Sequence, residues 1–331
     1  MLQSSTLYRV AKILYGFSSK KDSPVFRMAY RLYGLQIKDK LIVRFSPGRK
    51  IVHFLLEYHP NIFSLKIKKA KTIVSLHQPE SFMQELLASP RKRLRRRTEK
   101  FLSSLKYADS VVLLGKRYLG YYARFVPFEK FSVILHGVDT NYFRPSATRN
   151  NQSKILTVGS WLRDYDLWMR VVNLVLRRFP FAKFKVIASQ TQIKQLKTEI
   201  STNVIGYNHQ IETAANLTDE ELLKEYHESN ILFLPLKDAL ANNALLEGMS
   251  CGLPIVLSDV GAVREYIGDS NCAYMVDNKR PEEFADRIMQ LLESPDDRAE
   301  MGKRARARAE QLDWKLIAKE YEALYARIAQ E

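Results

Sequence analysis

Cysteine is nearly missing from this 331-residue chain, which holds only Cys251 and Cys272. Neither forms a CxxC pair or stands at metal spacing from a histidine. That argues against a disulfide scaffold or a zinc module and predicts two free thiols in a reducing cytosol. No apolar run approaches the roughly 20 residues that a membrane-spanning helix needs. The opening stretch, residues 1–17, breaks its apolar residues with polar ones and has no small-residue cleavage site, so it does not read as a secretory signal. Internal repeats and low-complexity tracts are lacking, and no acidic motif demands a metal. Helix-turn-helix, zinc-ligand and RNA-stacking signatures are lacking too, so nucleic acid is not an expected partner.

What the chain does contain is enough apolar material for cores, 46% hydrophobic against 27% charged, and enough length for two domains. Its charge is lopsided. Residues 1–150 hold 29 Lys and Arg against 9 Asp and Glu, a balance of +20, whereas the remainder stands at −4. The first half is therefore expected to meet an anionic partner. The densest run is Arg91-Lys92-Arg93-Leu94-Arg95-Arg96-Arg97. It reads either as a solvated face or as a patch for an anionic membrane, where each cation contributes about 1 kcal/mol. Aromatic residues scattered through the first 45 positions, a stretch expected to be helical and basic, would add interfacial anchoring.

Strand-length apolar runs at Ile51–Leu56, Thr72–Leu76, Ser110–Leu114 and Ser132–Leu135 alternate with helical stretches, among them Ser81–Leu87 and Thr98–Tyr107. Such alternation predicts βα units and a parallel sheet. A second series follows Pro145 and a polar stretch. Strands are expected at Ile155–Val158, Phe184–Ala188, Ile231–Leu236 and Ile255–Ser258, with helices at Leu167–Arg178, Ala244–Ser250 and Val263–Ile267. Thr218 with Glu221 has the spacing of a capping box, and Pro281 suits the first position of a helix. Trp314, Ile317, Tyr321, Leu324 and Ile328 form an apolar stripe on a terminal helix.

The segment most suggestive of chemistry runs from Asn242 to Val256, between two strands. Its helix starts at the carboxyl edge of a parallel sheet, where ligands bind. The first amides, Asn243, Ala244 and Leu245, suit a diphosphate. Glu247 lies a turn further in, where a carboxylate can accept two ribose hydroxyls; its structural alternative is a helix cap or surface ion pair. Thr157-Val158-Gly159-Ser160-Trp161-Leu162-Arg163-Asp164 follows the first strand of the second series, and Arg163 is the only cation of that loop. A guanidinium can grip phosphate oxygens in bidentate fashion, although pairing with Asp164 or Asp166 is an alternative. Val133-Ile134-Leu135-His136-Gly137-Val138-Asp139-Thr140 reads as the link between the halves, with Gly137 allowing a tight turn. Thr72-Ile73-Val74-Ser75-Leu76-His77 puts a histidine just past a strand, whereas His53, inside an apolar run, reads as a core histidine.

These segments resemble the large retaining GT-B family of glycosyltransferases (family 4-like, group 1) that includes sucrose synthases and bacterial polysaccharide transferases. The resemblance implies an α/β chain of two Rossmann-like, doubly wound domains facing across a cleft, the first shortened. Residues 1–145 would form the basic acceptor side and 146–312 the donor side, with 313–331 crossing back as a helix. It implies transfer from a nucleoside-diphosphate sugar, with retention and without cofactor or bound metal, to a carbohydrate or lipid-linked acceptor. Glu247 matches the second of the family's paired glutamates; Ala239 stands where the first would be, beside Asp238. Ser160 occupies the place of a phosphate-gripping arginine, leaving that role to Arg163. His77 would lie near the transferred sugar as a hydrogen-bond donor or an aid to the leaving phosphate. Such a protein is expected in the cytoplasm, held peripherally on the inner face of the cell membrane through Arg91, Lys92, Arg93, Arg95, Arg96 and Arg97. Two rivals remain open, a non-catalytic relative that binds membrane or nucleic acid through its basic half, and a sugar-nucleotide epimerase.

Overall fold

The computed structural model describes residues 51–54, 70–147, 153–204 and 206–330. The basic, aromatic first 45 residues lie outside these, as do Leu55 and Leu56 at the end of the first expected strand. The described residues form two parallel sheets flanked by helices. In the first, β1 (Ile51–Phe54), β2 (Lys71–Leu76), β3 (Ser110–Leu113) and β4 (Phe131–Val133) lie side by side in that order. Helices α1 (Glu80–Ala88) and α2 (Lys92–Ser104) link β2 to β3, and α3 (Leu119–Tyr122) precedes β4.

Helix α2 begins six residues earlier than the apolar pattern suggested, so the cationic run is its first two turns. Arginine and lysine are good helix formers. The buried Thr98 and Leu102 and the half-buried Leu94 and Phe101 seat the opposite side on the core.

The second sheet contains β5 (Lys154–Val158), β6 (Lys183–Ile187), β7 (Ile211–Ala214), β8 (Ile231–Leu234), β9 (Ile255–Ser258) and β10 (Ala273–Val276). Their order is β10-β9-β8-β5-β6-β7, every pairing parallel. The chain starts in the middle, works to one edge, then returns to build the other, so the strand order reverses between β5 and β8. That reversal opens a crevice at the strand carboxyl ends. Both faces are covered, which is why β8 is apolar throughout, β9 is apolar up to Ser258, and both are fully buried. Intervening helices are α4 (Tyr165–Arg178), α5 (Gln190–Asn203), α6 (Asp219–Glu228), α7 (Asn243–Ser250), α8 (Val263–Ile267) and α9 (Pro281–Glu293). Asp164 caps α4, the Thr218–Glu221 pair closes a full capping box on α6, and Pro281 opens α9. Gly248 lets α7 press onto β8, since a Cβ there would stand 2.3 Å from Leu232 Cδ2.

Helix α10 (Pro295–Gln311) escaped the sequence pattern because it buries only Met301, Gly302, Ala305 and Ala309, a stripe too small to stand out. Gly302 packs against the turn after α7, where a Cβ would meet Gly252 O at 2.4 Å. Helix α11 (Trp314–Gln330) buries Ile317, Leu324 and Ile328 in a core that also holds Ile73 and Val111 of the first sheet. Arg327 Nη2 donates to Ser132 Oγ at 2.9 Å, and Tyr325 Oη meets His53 Nδ1 at 2.7 Å.

The chain passes between the sheets twice, and the two passages are bonded together. Val138 N donates to Leu312 O at 3.0 Å, Trp314 N donates to Val138 O at 3.1 Å, and Thr140 Oγ1 donates to Asp313. Gly137 is here for a different reason than a turn. Its φ is not positive; a Cβ would instead collide with the Trp314 indole at 2.7 Å.

Candidate functional site

The crevice between β5 and β8 holds a pocket of about 410 Å³. The loop after β5 supplies one wall with Gly159, Trp161 and Arg163, and the segment from Asp238 to Glu247 supplies the other. Gly159 takes φ +104°, and a Cβ on it would lie 2.6 Å from Arg163 Nη2, so glycine is what admits the guanidinium. Arg163 is held by three acceptors: Nε donates to Val158 O (2.8 Å), Nη1 to Trp161 O (3.2 Å) and Nη2 to Asn242 Oδ1 (3.3 Å). Burial lowers its pKa to about 10, with Tyr165, Tyr226 and Glu247 opposing, so it stays charged at neutral pH. Neither Asp164 nor Asp166 is the partner; Asp164 caps α4 instead. Ser160 also lines the pocket, and its Oγ accepts Ser189 N at 2.7 Å, at the start of α5.

Asn242 caps α7 through Oδ1, which accepts Leu245 N at 3.2 Å besides Arg163. Leu245 is fully buried and its amide is thereby occupied. Among the described residues, the amides left without a partner at this helix start are those of Asn243 and Ala244, and both residues line the pocket. Glu247 lines it too. Its Oε2 accepts the hydroxyl of the fully buried Tyr226 at 2.8 Å. Burial pushes the Glu247 carboxyl pKa up, aided by Asp219, while the Tyr226 bond and Arg163 pull it down.

Asp238 and Ala239 look toward the first sheet. Asp238 accepts the hydroxyls of Ser81 and Tyr118, and Ala239 O accepts Tyr118 Oη at 3.2 Å. Gly261 makes room for this corner, since a Cβ would fall 2.0 Å from Ala239 O. Nearby, Glu265 accepts the amides of Lys116 (2.6 Å) and Arg117 (2.8 Å), and Tyr266 Oη donates to Leu114 O at 2.8 Å. The two halves thus meet beside the pocket through polar contacts of specific geometry.

His77 does not line that pocket. It lies beside the link between the halves, 6.4 Å ring to ring from His136, which in turn stands 4.8 Å from the Trp314 ring. His53 is a satisfied core histidine between Ser75 Oγ (2.8 Å) and Tyr325 Oη (2.7 Å). Burial, with a smaller contribution from His77, lowers its pKa to about 4. Of the cationic run, Lys92, Arg93, Arg96 and Arg97 share one side of α2 with Lys100 and line an open hollow. Arg95 faces elsewhere, 3.9 Å from Glu99, and Arg91 is exposed ahead of the helix. No described helix is long and apolar enough to cross a membrane, and no described group of His, Cys, Asp and Glu is arranged to hold a metal.

The pocket therefore gathers Gly159, Arg163, Asn243, Ala244 and Glu247 and adds Asn242 and Trp161, with the buried Tyr226 behind Glu247; the sequence alone does not point to these three as site residues. Asn242 was legible as a preferred N-cap residue. Tyr226 was not, being a residue of α6 that reaches Glu247 only through the fold.

Residues 138–308 match the family model for glycosyl transferases group 1. The MMP alpha-(1->4)-mannosyltransferase of Mycolicibacterium hassiacum is 27% identical over 215 residues, which are 61% of this chain and 50% of that protein. The chain thus spans about half the length of the curated relatives it matches. Among solved structures, sucrose-phosphate synthase from Thermosynechococcus elongatus superposes with TM-score 0.72 at 15% identity, covering 91% of this chain and 79% of the other. Anabaena Alr3699/HepE in complex with UDP gives 0.70 at 14% identity, covering 90% and 84%. These likenesses show a Rossmann-like GT-B fold, and the family match spans more than half of the sequence: the chain belongs to the glycosyl transferases group 1.

Proposed function

We propose that the protein transfers a glycosyl group from a nucleoside-diphosphate sugar to an acceptor hydroxyl, with no cofactor beyond that donor. The observation that carries this reading is the pocket at the strand-order reversal, where two unpartnered amides of α7, a guanidinium and a half-buried carboxylate converge. The diphosphate would lie on the amides of Asn243 and Ala244, at the positive end of the helix. A guanidinium has five N–H groups. Those of Arg163 not used on Val158, Trp161 and Asn242 would reach phosphate oxygens past Gly159. The Glu247 carboxylate, steadied by Tyr226, would accept the ribose hydroxyls; that the structurally similar Anabaena protein was solved in complex with UDP supports a nucleotide ligand.

In the transfer, the bond from the anomeric carbon to the diphosphate oxygen breaks and its electrons stay on the phosphate. The amides and Arg163 stabilise that charge. The acceptor oxygen bonds to the anomeric carbon on the same face, giving retention, and its proton passes to the departing phosphate oxygen. His77 is our candidate for a hydrogen bond to the transferred sugar. We take residues 1–145 as the acceptor side, 146–312 as the donor side and 313–331 as the returning helix. The cationic side of α2 is proposed to hold the protein to an anionic membrane carrying a lipid-linked or polysaccharide acceptor.

Thermal shift with UDP, GDP and ADP, followed by transfer from the sugar nucleotide of the best binder, tests the reading. At least one diphosphate should raise Tm. If none does at millimolar concentration, the donor site is misassigned.

A further inference from the structure

Trp161 is 49% exposed, yet it lines the pocket instead of sitting alone on the outer surface. Its loop is fastened on both sides. Arg163 N donates to Ser160 O at 3.4 Å and Arg163 Nη1 to Trp161 O. Lys237 N donates to Leu162 O at 2.9 Å, and Asp164 N to Pro235 O at 2.9 Å. Leu162, the next residue, is held at φ +56°, a conformation that a branched side chain adopts only when its surroundings impose it. The loop thus presents a large indole in a fixed place. Across the crevice, Phe82 of α1 meets that indole edge-to-face at 5.5 Å between centroids. Next to Phe82, Ser81 donates to Asp238, whose carboxylate also lines the pocket.

An aromatic face beside a carboxylate and a hydroxyl is the environment that a sugar ring needs. One side of a pyranose is a plate of C–H groups, which lies favourably on the electron-rich face of an indole. Its rim of hydroxyls donates to carboxylates. Trp161 and Asp238 stand on the side of the pocket that touches the first half, through Phe82, Ser81 and Tyr118. Glu247 and Tyr226 lie deeper, against Phe143. Resting on the donor-site reading above, we infer that Trp161 is the stacking platform for a pyranose ring, with Asp238 accepting a hydroxyl of the same ring. Trp161 is on this account a specificity-determining residue. The ring belongs to the transferred sugar or to the acceptor, which share this chemistry.

The test uses the full chain with Trp161→Ala and Trp161→Phe. Bare nucleoside diphosphate, sugar nucleotide and acceptor are titrated separately. The alanine variant should bind the bare diphosphate like wild type and lose roughly ten-fold in affinity or KM for one pyranose-bearing ligand. The phenylalanine variant should recover most of that loss. A loss confined to the sugar nucleotide puts the donor's ring on Trp161; one confined to the acceptor puts the acceptor's ring there. Unchanged pyranose binding, equal impairment of both variants, or diphosphate affinity falling in step overturns the inference. A ring contact needs no nucleotide, so saturation-transfer NMR with a panel of methyl pyranosides decides the case if no diphosphate binds and the donor-site reading fails. Contacts present in wild type and Trp161→Phe but absent in Trp161→Ala support stacking, and their absence from wild type rejects it.

Discussion

Acidification should loosen the attachment of α11 to the first sheet, through His53. That imidazole is bonded on both sides, to Ser75 and Tyr325, and burial with the nearby His77 lowers its pKa from 6.5 to about 4. The unfolded chain therefore takes up a proton in a window where the folded chain does not, and stability must fall as pH drops. The contribution is complete above about pH 6.5 and fades down to about pH 4. Between pH 7.5 and 4.5 these two values correspond to a loss of about 2.5 kcal/mol. Burial also lowers the His136 pKa, adding in the same direction. Urea unfolding across this range, for wild type and His53→Gln, isolates the effect because the carboxylates titrate alike in both proteins. The variant should start less stable by about 1 kcal/mol, from imperfect replacement of the hydrogen bonds, and its curve should be flatter by the stated loss. Parallel curves would refute the burial and bonding of His53 described here.

Tyr226→Phe removes the donor to Glu247 Oε2 and a cause that lowers its pKa. Diphosphate affinity should fall about ten-fold, more at pH 6 than at pH 8, by calorimetry. Gly248→Ala drives a Cβ into the fully buried Leu232 and should cost about 1–3 kcal/mol in denaturant unfolding; an unchanged midpoint would mean that α7 sits further from β8. Neutralising Lys92, Arg93, Arg96 and Arg97, which share one side of α2, should abolish flotation with anionic vesicles at low salt. Wild-type binding should also fade in ~0.5 M salt, where the Debye length is short; indifference to anionic vesicles at low salt refutes the membrane proposal.

The second half was legible because its signals are local and strong. Strand β9 and helix α8 have the bounds expected for them, and the capping box at Thr218 and the proline at 281 mark true helix starts. What escaped was carried by weak or distant signals. Strand β7 is a short, half-buried edge, and α10 packs through glycine and alanine. The start of α2 was hidden because a run of cations reads as surface whatever its conformation. For the site, the carboxyl-edge argument points to α7 and Glu247, and the family resemblance to Gly159 and Arg163. The partners that define their chemistry come from far along the chain: Tyr226 on Glu247, and Ser81 and Tyr118 on Asp238. Gly137 was flagged, but for turning, when its neighbour Trp314 is the cause.

The central claim is that α7 and Glu247 hold a nucleoside-diphosphate sugar for transfer. Its most direct test is diphosphate release from a panel of UDP-, GDP- and ADP-sugars, with wild type and Glu247→Gln in parallel and both melts recorded. The account predicts protein-dependent release from at least one donor, with turnover at least ten-fold lower in the variant from loss of charge-assisted bonds and a comparable Tm. Release from no donor, or a Glu247→Gln variant with wild-type kinetics, would contradict it.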